Sequence, residues 1–120
     1  MEPLRFDSME FRFACLIWER APISSGDLVP LCGEVFGWKK STMYTMLRRL
    51  CQRGLFRNEN GSVHVQITRE EFESRQSEQF VKESFDGSLP RFLAAFCAHK
   101  PLSEEEIDEL RALIDAQRRK

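Results

Sequence analysis

Thr45 and Arg49 stand one helical turn apart, with Thr42 and Arg48 beside them and Lys39 and Lys40 just upstream. Such side chains together suit one kind of chemistry, the reading of duplex DNA. A guanidinium can donate two parallel bonds to guanine O6 and N7, and a threonine methyl can meet the methyl of thymine. Lysines before the helix can neutralise phosphates. Ser41, Tyr44 and Gln52 complete the polar face. Arg57 and the polar tip Asn58-Glu59-Asn60-Gly61-Ser62 follow, and could lie over the backbone or minor groove, although Glu59 opposes phosphate. The candidate DNA-contacting residues are therefore Lys39, Lys40, Ser41, Thr42, Tyr44, Thr45, Arg48, Arg49 and Arg57. Arg48 and Arg49 alone would be read as solvated charges; what decides is the order of elements around them.

Charge placement agrees. The net charge is only −1. Over residues 38–69, however, Lys39, Lys40, Arg48, Arg49, Arg53, Arg57 and Arg69 face the single acid Glu59, and from Glu70 onward acids outnumber bases. A positive field confined to one stretch fits a surface that meets phosphate while the rest avoids it.

A reading helix needs an apolar back. Met43, Met46, Leu47 and Leu50 supply it at i, i+3, i+4 and i+7, predicting a helix over about 41–52, capped by Ser41 or Thr42 and closed by Arg53-Gly54. Before it, Asp7 with Glu10 resembles a capping box opening a helix to about Arg20, with Met9, Phe13, Leu16 and Ile17 on one stripe and Phe11 and Trp18 on the next. Ala21-Pro22 ends that helix. Ile23 suits a short strand contact, and Ser24 caps a second helix with Leu28, Leu31, Cys32, Val35 and Phe36 inward. Pro30 predicts a kink or late start there, and Gly37 the stop. After the reading helix, Leu55-Phe56-Arg57, the Asn60-Gly61 turn signal and the alternation Val63, Val65, Ile67 predict a hairpin, with His64 facing solvent. Three helices and a hairpin make a winged helix-turn-helix with a two-stranded wing.

The remainder reads as helix, so the fold class is mainly α. Thr68 with Glu71 opens a polar helix to about Asp86, with Phe72, Phe80, Val81 and Phe85 as sparse apolar points. Gly87-Ser88 breaks it, a short apolar helix follows, and Ser103 with Glu106 opens the last. A tail this small cannot bury much alone. Phe80, Phe85, Leu89, Phe92, Leu93, Phe96, Ile107, Leu110, Leu113 and Ile114 are thus expected to form a homodimer interface, with packing back on the N-terminal domain as the alternative. The expected organisation is a winged-helix DNA-binding domain over 1–68 and a helical dimerisation region over 69–120.

An apolar fraction of 42% with 31% charged residues suits a soluble globular protein. No signal-peptide core follows Met1 and no apolar run approaches a membrane span, so the expected location is the cytoplasm. Cys15, Cys32, Cys51 and Cys97 are widely spaced and read as reduced thiols. Cys97 and His99 would point to nearly opposite faces of a helix, so no metal and no cofactor is expected. With only His64 and His99, no phosphate loop and no nucleophile–base pair, an enzyme is not expected. A winged helix used as a protein-interaction module is the competing reading, supported by the near-neutral charge and the acidic tail.

Several stretches carry a resemblance over nearly the whole length: Met9-Glu10-Phe11 with Leu16-Ile17-Trp18-Glu19, Gly37-Trp38, Thr42-x-x-Thr45-x-Leu47-x-Arg49-Leu50 with Gly54-Leu55, and Leu102-Ser103-Glu104-Glu105-Glu106-Ile107 with Leu110. The chain resembles the penicillinase and methicillin-resistance repressors and their copper-responsive relatives, the BlaI/MecI/CopY family. The resemblance implies a homodimeric repressor on an inverted-repeat operator, with Thr42, Thr45 and Arg49 at the DNA. It also implies relief by an outside signal, with an upstream sensor or protease as a further partner. The family usually carries lysine before the matching threonine, where this chain has Ser41. Antibiotic-sensing members are cut at an Asn-Phe bond that matches Ala95-Phe96 here, so release by that cut is not expected. Copper-sensing members end in clustered cysteines and this sequence in Gln117-Arg118-Arg119-Lys120, so copper sensing by that route is not expected either.

Overall fold

The computed structural model describes residues 8–120. The described elements run α1 (Met9–Arg20), β1 (Ile23–Ser24), α2 (Ser25–Phe36), α3 (Lys40–Gln52), β2 (Phe56–Glu59), β3 (Ser62–Val65), α4 (Arg69–Ser84), α5 (Leu89–Cys97) and α6 (Glu104–Gln117). The chain forms two compact units, one ending at Ser77 and the other spanning Glu78–Lys120. Among the described residues no helix is long and apolar enough to cross a membrane.

The first unit is a winged helix. Ser8 caps α1, its Oγ accepting from Phe11 N–H at 3.1 Å; the capping role expected of Asp7 lies outside the described residues. Phe13, Ala14 and Ile17 are fully buried and Phe11 nearly so. Met9, expected on this inner stripe, is exposed in the first turn of the helix, and Phe11 takes up the burial instead. Ser24 caps α2 through a 3.0 Å bond from Asp27 N–H. The helix starts at Ser25 and runs through Pro30, so the expected late start does not occur. The carbonyl that Pro30 leaves without a partner is that of Gly26, in the exposed first turn where water can serve it. Leu28 and Cys32 are buried, but Val35 is exposed, because the inner stripe ends on Phe36, whose ring meets that of Phe13.

The sheet has three strands in the order β1-β3-β2, all antiparallel. The two-stranded wing is thus extended by β1, with Ile23 opposite Val63. Asn60 and Gly61 both have positive φ (53° and 84°), which the tight hairpin turn requires. Phe56 and Val63 turn inward and join Leu28, Met43, Leu47 and Leu50 in one core. Burying each such side chain stabilises the fold by about 1.5–3 kcal/mol.

The N-terminal half of α4 belongs to this unit. Thr68 and Glu71 form the expected reciprocal cap, with Glu71 N–H donating to Thr68 Oγ1 at 3.1 Å and Thr68 N–H to Glu71 Oε1 at 3.4 Å. Phe72, expected as a sparse point of the tail, is buried and stacks on Phe11 at 5.7 Å between ring centres. Trp18 packs on both Phe56 and Phe72, and its Nε1–H donates to Ile67 C=O at 3.0 Å.

In the second unit, α4 ends in a left-handed turn at Asp86-Gly87, with Gly87 N–H donating to Val81 C=O at 3.0 Å. Phe92 of α5 meets Phe80, Phe85 and Phe96 at ring-centre distances of 5.9, 5.4 and 6.2 Å. Ser103 and Glu106 cap α6 as a full capping box. Burial is incomplete throughout: Phe80, Leu89, Phe96, Leu113 and Ile114 are all exposed. Phe92, Leu93, Phe96, Leu102, Leu110 and Leu113 line an apolar groove of about 440 Å³, with Glu106 and Glu109 also on its wall.

Candidate nucleic-acid interface

α3 is set in place from its back. Met43 and Leu50 are fully buried and Leu47 nearly so. The turn that delivers the helix is fixed by Gly37, left-handed at φ 71°, and by Trp38, whose ring lies 4.7 Å from Phe36 and 5.1 Å from Phe13. That packing starts the helix earlier than its polar residues predict. The N-cap is Lys39, with no side-chain bond, and neither Ser41 nor Thr42 caps. The first-turn N–H groups therefore remain available beside Lys39 and Lys40, where the helix dipole favours an anion.

The front carries Ser41, Thr42, Thr45, Arg48 and Arg49, all exposed. Thr45 Oγ1 donates to Ser41 C=O at 2.9 Å, which occupies its one proton and leaves its methyl and lone pairs for a ligand. Ser41, Thr42, Thr45, Met46 and Arg49 line a shallow hollow of about 270 Å³. Met46, expected as part of the apolar back, is half-buried and reaches this front. Tyr44 turns partly inward. It is half-buried, and its hydroxyl bonds Ser25 Oγ at 3.3 Å, because its position on the helix faces the start of α2 rather than open solvent.

On the wing, Arg57 Nε pairs with Glu59 Oε1 at 2.7 Å. Glu59, expected only as a charge opposed to phosphate, thus also occupies the wing's arginine. Both side chains are about half exposed, so the pair contributes at most about 1 kcal/mol and can open to a stronger anion. His64 is half-buried, not simply solvent-facing, with Nε2 3.1 Å from Ser62 Oγ.

Glu10 of α1 is a functional candidate that the sequence reading missed. Its spacing from Asp7 suggests a cap, yet its carboxylate reaches Arg49 of α3. Oε1 is 3.4 Å from Arg49 Nη1, and Oε2 is 3.2 Å from Arg53 Nε. The Arg53 contact is an ion pair without hydrogen-bond geometry at Oε2. Nothing local could reveal this, since Glu10 and Arg49 are 39 residues apart.

All four cysteines are free thiols. Cys32 is fully buried, and burial pushes its thiol up to about 11. Burial also raises Cys51, opposed by a bond from the Asn58 backbone, and raises Cys15, opposed by the charge of Arg69. Among the described residues no three histidines, cysteines or acids gather to hold a metal.

The pattern of the penicillinase repressor family matches residues 8–116. The penicillinase repressor of Bacillus licheniformis is 27% identical over 104 residues, covering 83% of this chain and 81% of that protein. The methicillin resistance regulatory protein MecI of Staphylococcus aureus (strain Mu50 / ATCC 700699) is 21% identical over 112 residues, covering 90% of this chain and 91% of that protein. MecI of Mammaliicoccus sciuri is 20% identical over the same length, with the same coverage.

Proposed function

Because the chain belongs to the penicillinase repressor family, we propose that it is a homodimeric, DNA-binding transcriptional repressor of an inverted-repeat operator. The observation that carries this reading is the division of α3, with Met43, Leu47 and Leu50 locked in the core and Thr42, Thr45, Arg48 and Arg49 exposed on the other side. A helix so divided can enter the major groove without disturbing its own support.

In this reading Thr45 and Arg49 meet base edges, with Thr42 and Ser41 at the adjoining step. Lys39, Lys40 and the open N–H groups of the first turn of α3 take phosphate, and Arg57 adds a backbone contact when Glu59 lets it go. Tyr44 contributes through its ring edge, its hydroxyl being engaged by Ser25. Residues 1–68 do the reading, supported by the first half of α4, and within 69–120 the unit from Glu78 onward does the pairing. The exposed Phe80, Leu89, Phe96, Leu113 and Ile114 support that pairing, because a second copy can cover them. Phe85, Phe92, Leu93, Ile107 and Leu110 are half-buried and extend the same apolar surface. The protein acts in the cytoplasm, by binding rather than catalysis, and an outside signal, through a sensor or protease, lifts repression.

Selection of bound sequences from a random DNA pool tests the whole reading. An enriched motif with two symmetric half-sites is the expected result. Equal binding of enriched and random DNA would overturn it, and no binding even at low salt would favour a protein-interaction module.

A further inference from the structure

The proposed reading arginine is not an independent side chain. Arg49 is 57% exposed, whereas Glu10, which meets it, is only 17% exposed and Arg53 only 20%. The carboxylate is thus a nearly buried charge held between two guanidinium groups one turn apart, Arg49 on α3 and Arg53 at its C-cap. Arg53 and α1 fix its position from behind, and Oε1 faces forward to Arg49. Among the described residues, the contacts of Arg49 to Glu10 Oε1 and to Met46 Sδ at 3.9 Å run through Nη1. Arg49 lines the hollow with Ser41, Thr42 and Thr45, and more than half of its side chain is open to solvent.

This arrangement bears on specificity. An unrestrained arginine on a helix surface samples many rotamers and can meet the nearest phosphate as readily as a base. A carboxylate on one nitrogen limits the rotamers and offsets part of the charge that draws the group to phosphate, while Nε and Nη2 can still supply the fork that guanine requires. We propose that Glu10 is the positioning residue that makes Arg49 a base-reading group rather than a general phosphate contact. This rests on the DNA-reading role of α3.

The test uses the full-length protein and two DNA probes, one enriched from a random pool and one scrambled from it. Wild type, E10Q, R49A and the double variant are compared by affinity on both probes, with thermal melting as the folding control. E10Q is expected to lower the enriched-to-scrambled ratio about tenfold, chiefly by tightening binding to scrambled DNA, as befits one removed negative charge. In the R49A background E10Q should leave that ratio unchanged, a result that a merely structural role would not give. If E10Q lowers melting, E10D serves instead: it keeps the negative charge but draws the carboxylate back by a methylene, so the ratio is expected to fall by less than in E10Q and again only where Arg49 is present. An unchanged ratio in the single variants, or an equal drop with and without Arg49, overturns the role of Glu10. Failure of wild type to discriminate between the probes overturns the DNA-reading role itself.

Discussion

Glu10 on α1 and Arg49 on α3 meet at 3.4 Å between Oε1 and Nη1, across 39 residues of sequence. The contact joins the first helix of the fold to the exposed front of the third. Its energy as an ion pair is small, because Arg49 is mostly in solvent. Its value lies in direction, and Arg49 itself is the residue to remove first. Arg49→Ala should cost about 1–3 kcal/mol of discrimination between the preferred sequence and a version altered at one base pair per half-site. Competition binding measures this directly. A loss shared equally by all sequences would assign Arg49 to phosphate instead.

Lys39 should behave differently. It is the N-cap of α3 and makes no side-chain cap bond. Lys39→Ala is expected to weaken enriched and scrambled DNA by the same factor and to reduce the slope of log affinity against log salt by about 1. A titration at four or five salt concentrations reads both effects. A change in sequence preference without a change in slope would move Lys39 from the phosphate to the bases.

Self-association should depend on the apolar residues left open in the tail. Leu113 is 60% exposed on α6, so a charge there costs little inside the protomer. Leu113→Glu is expected to shift the sedimenting species from dimer to monomer at micromolar concentration, while leaving the helical content unchanged. Affinity for a two-half-site probe should fall with it. A variant that still sediments as a dimer would place the interface elsewhere.

Cys32 supplies a pH-dependent observable. Its folded-state thiol is raised to about 11 by burial, above the ordinary value of 9.0. The unfolded chain therefore ionises first as pH rises. The resulting stability is fully present below about pH 9 and is lost progressively as pH climbs toward 11. Chemical denaturation at pH 8 and pH 10.5 should show a lower midpoint at the higher pH, and Cys32→Ala should shrink that difference. At neutral pH a thiol reagent should modify Cys32 only as fast as the protein unfolds; rapid labelling of Cys32 in the folded protein would contradict its burial.

α3 was legible in the sequence because its two faces are local. Met43, Leu47 and Leu50 recur at helical spacing, and the hydroxyls and guanidinium groups fill the gaps between them. The hairpin was legible at Asn60-Gly61 for the same reason. What could not be read depended on contacts between distant residues. Ser41 and Thr42 looked like caps, but Trp38 packs on Phe13 and Phe36 and moves the start of α3 back to Lys40. Met9 and Val35 keep the apolar period of their helices yet are exposed, each near a helix end. Phe72 looked isolated in a polar helix, and it is buried because Phe11 and Trp18 come to meet it. The Glu10 contact with Arg49 has no signature in either local segment.

Ser25 joins the two elements proposed to touch DNA. Its N–H donates to Gly61 C=O at the wing turn at 2.8 Å, and its hydroxyl holds Tyr44 of α3 at 3.3 Å. One small buried residue thus works like the pin of a caliper, with the wing as one jaw and the reading helix as the other. If the two jaws close on a duplex as proposed, their gap is set before any DNA arrives. A sequence would then be judged by the width and stiffness of its grooves as well as by its base edges, because the softer partner must do the bending.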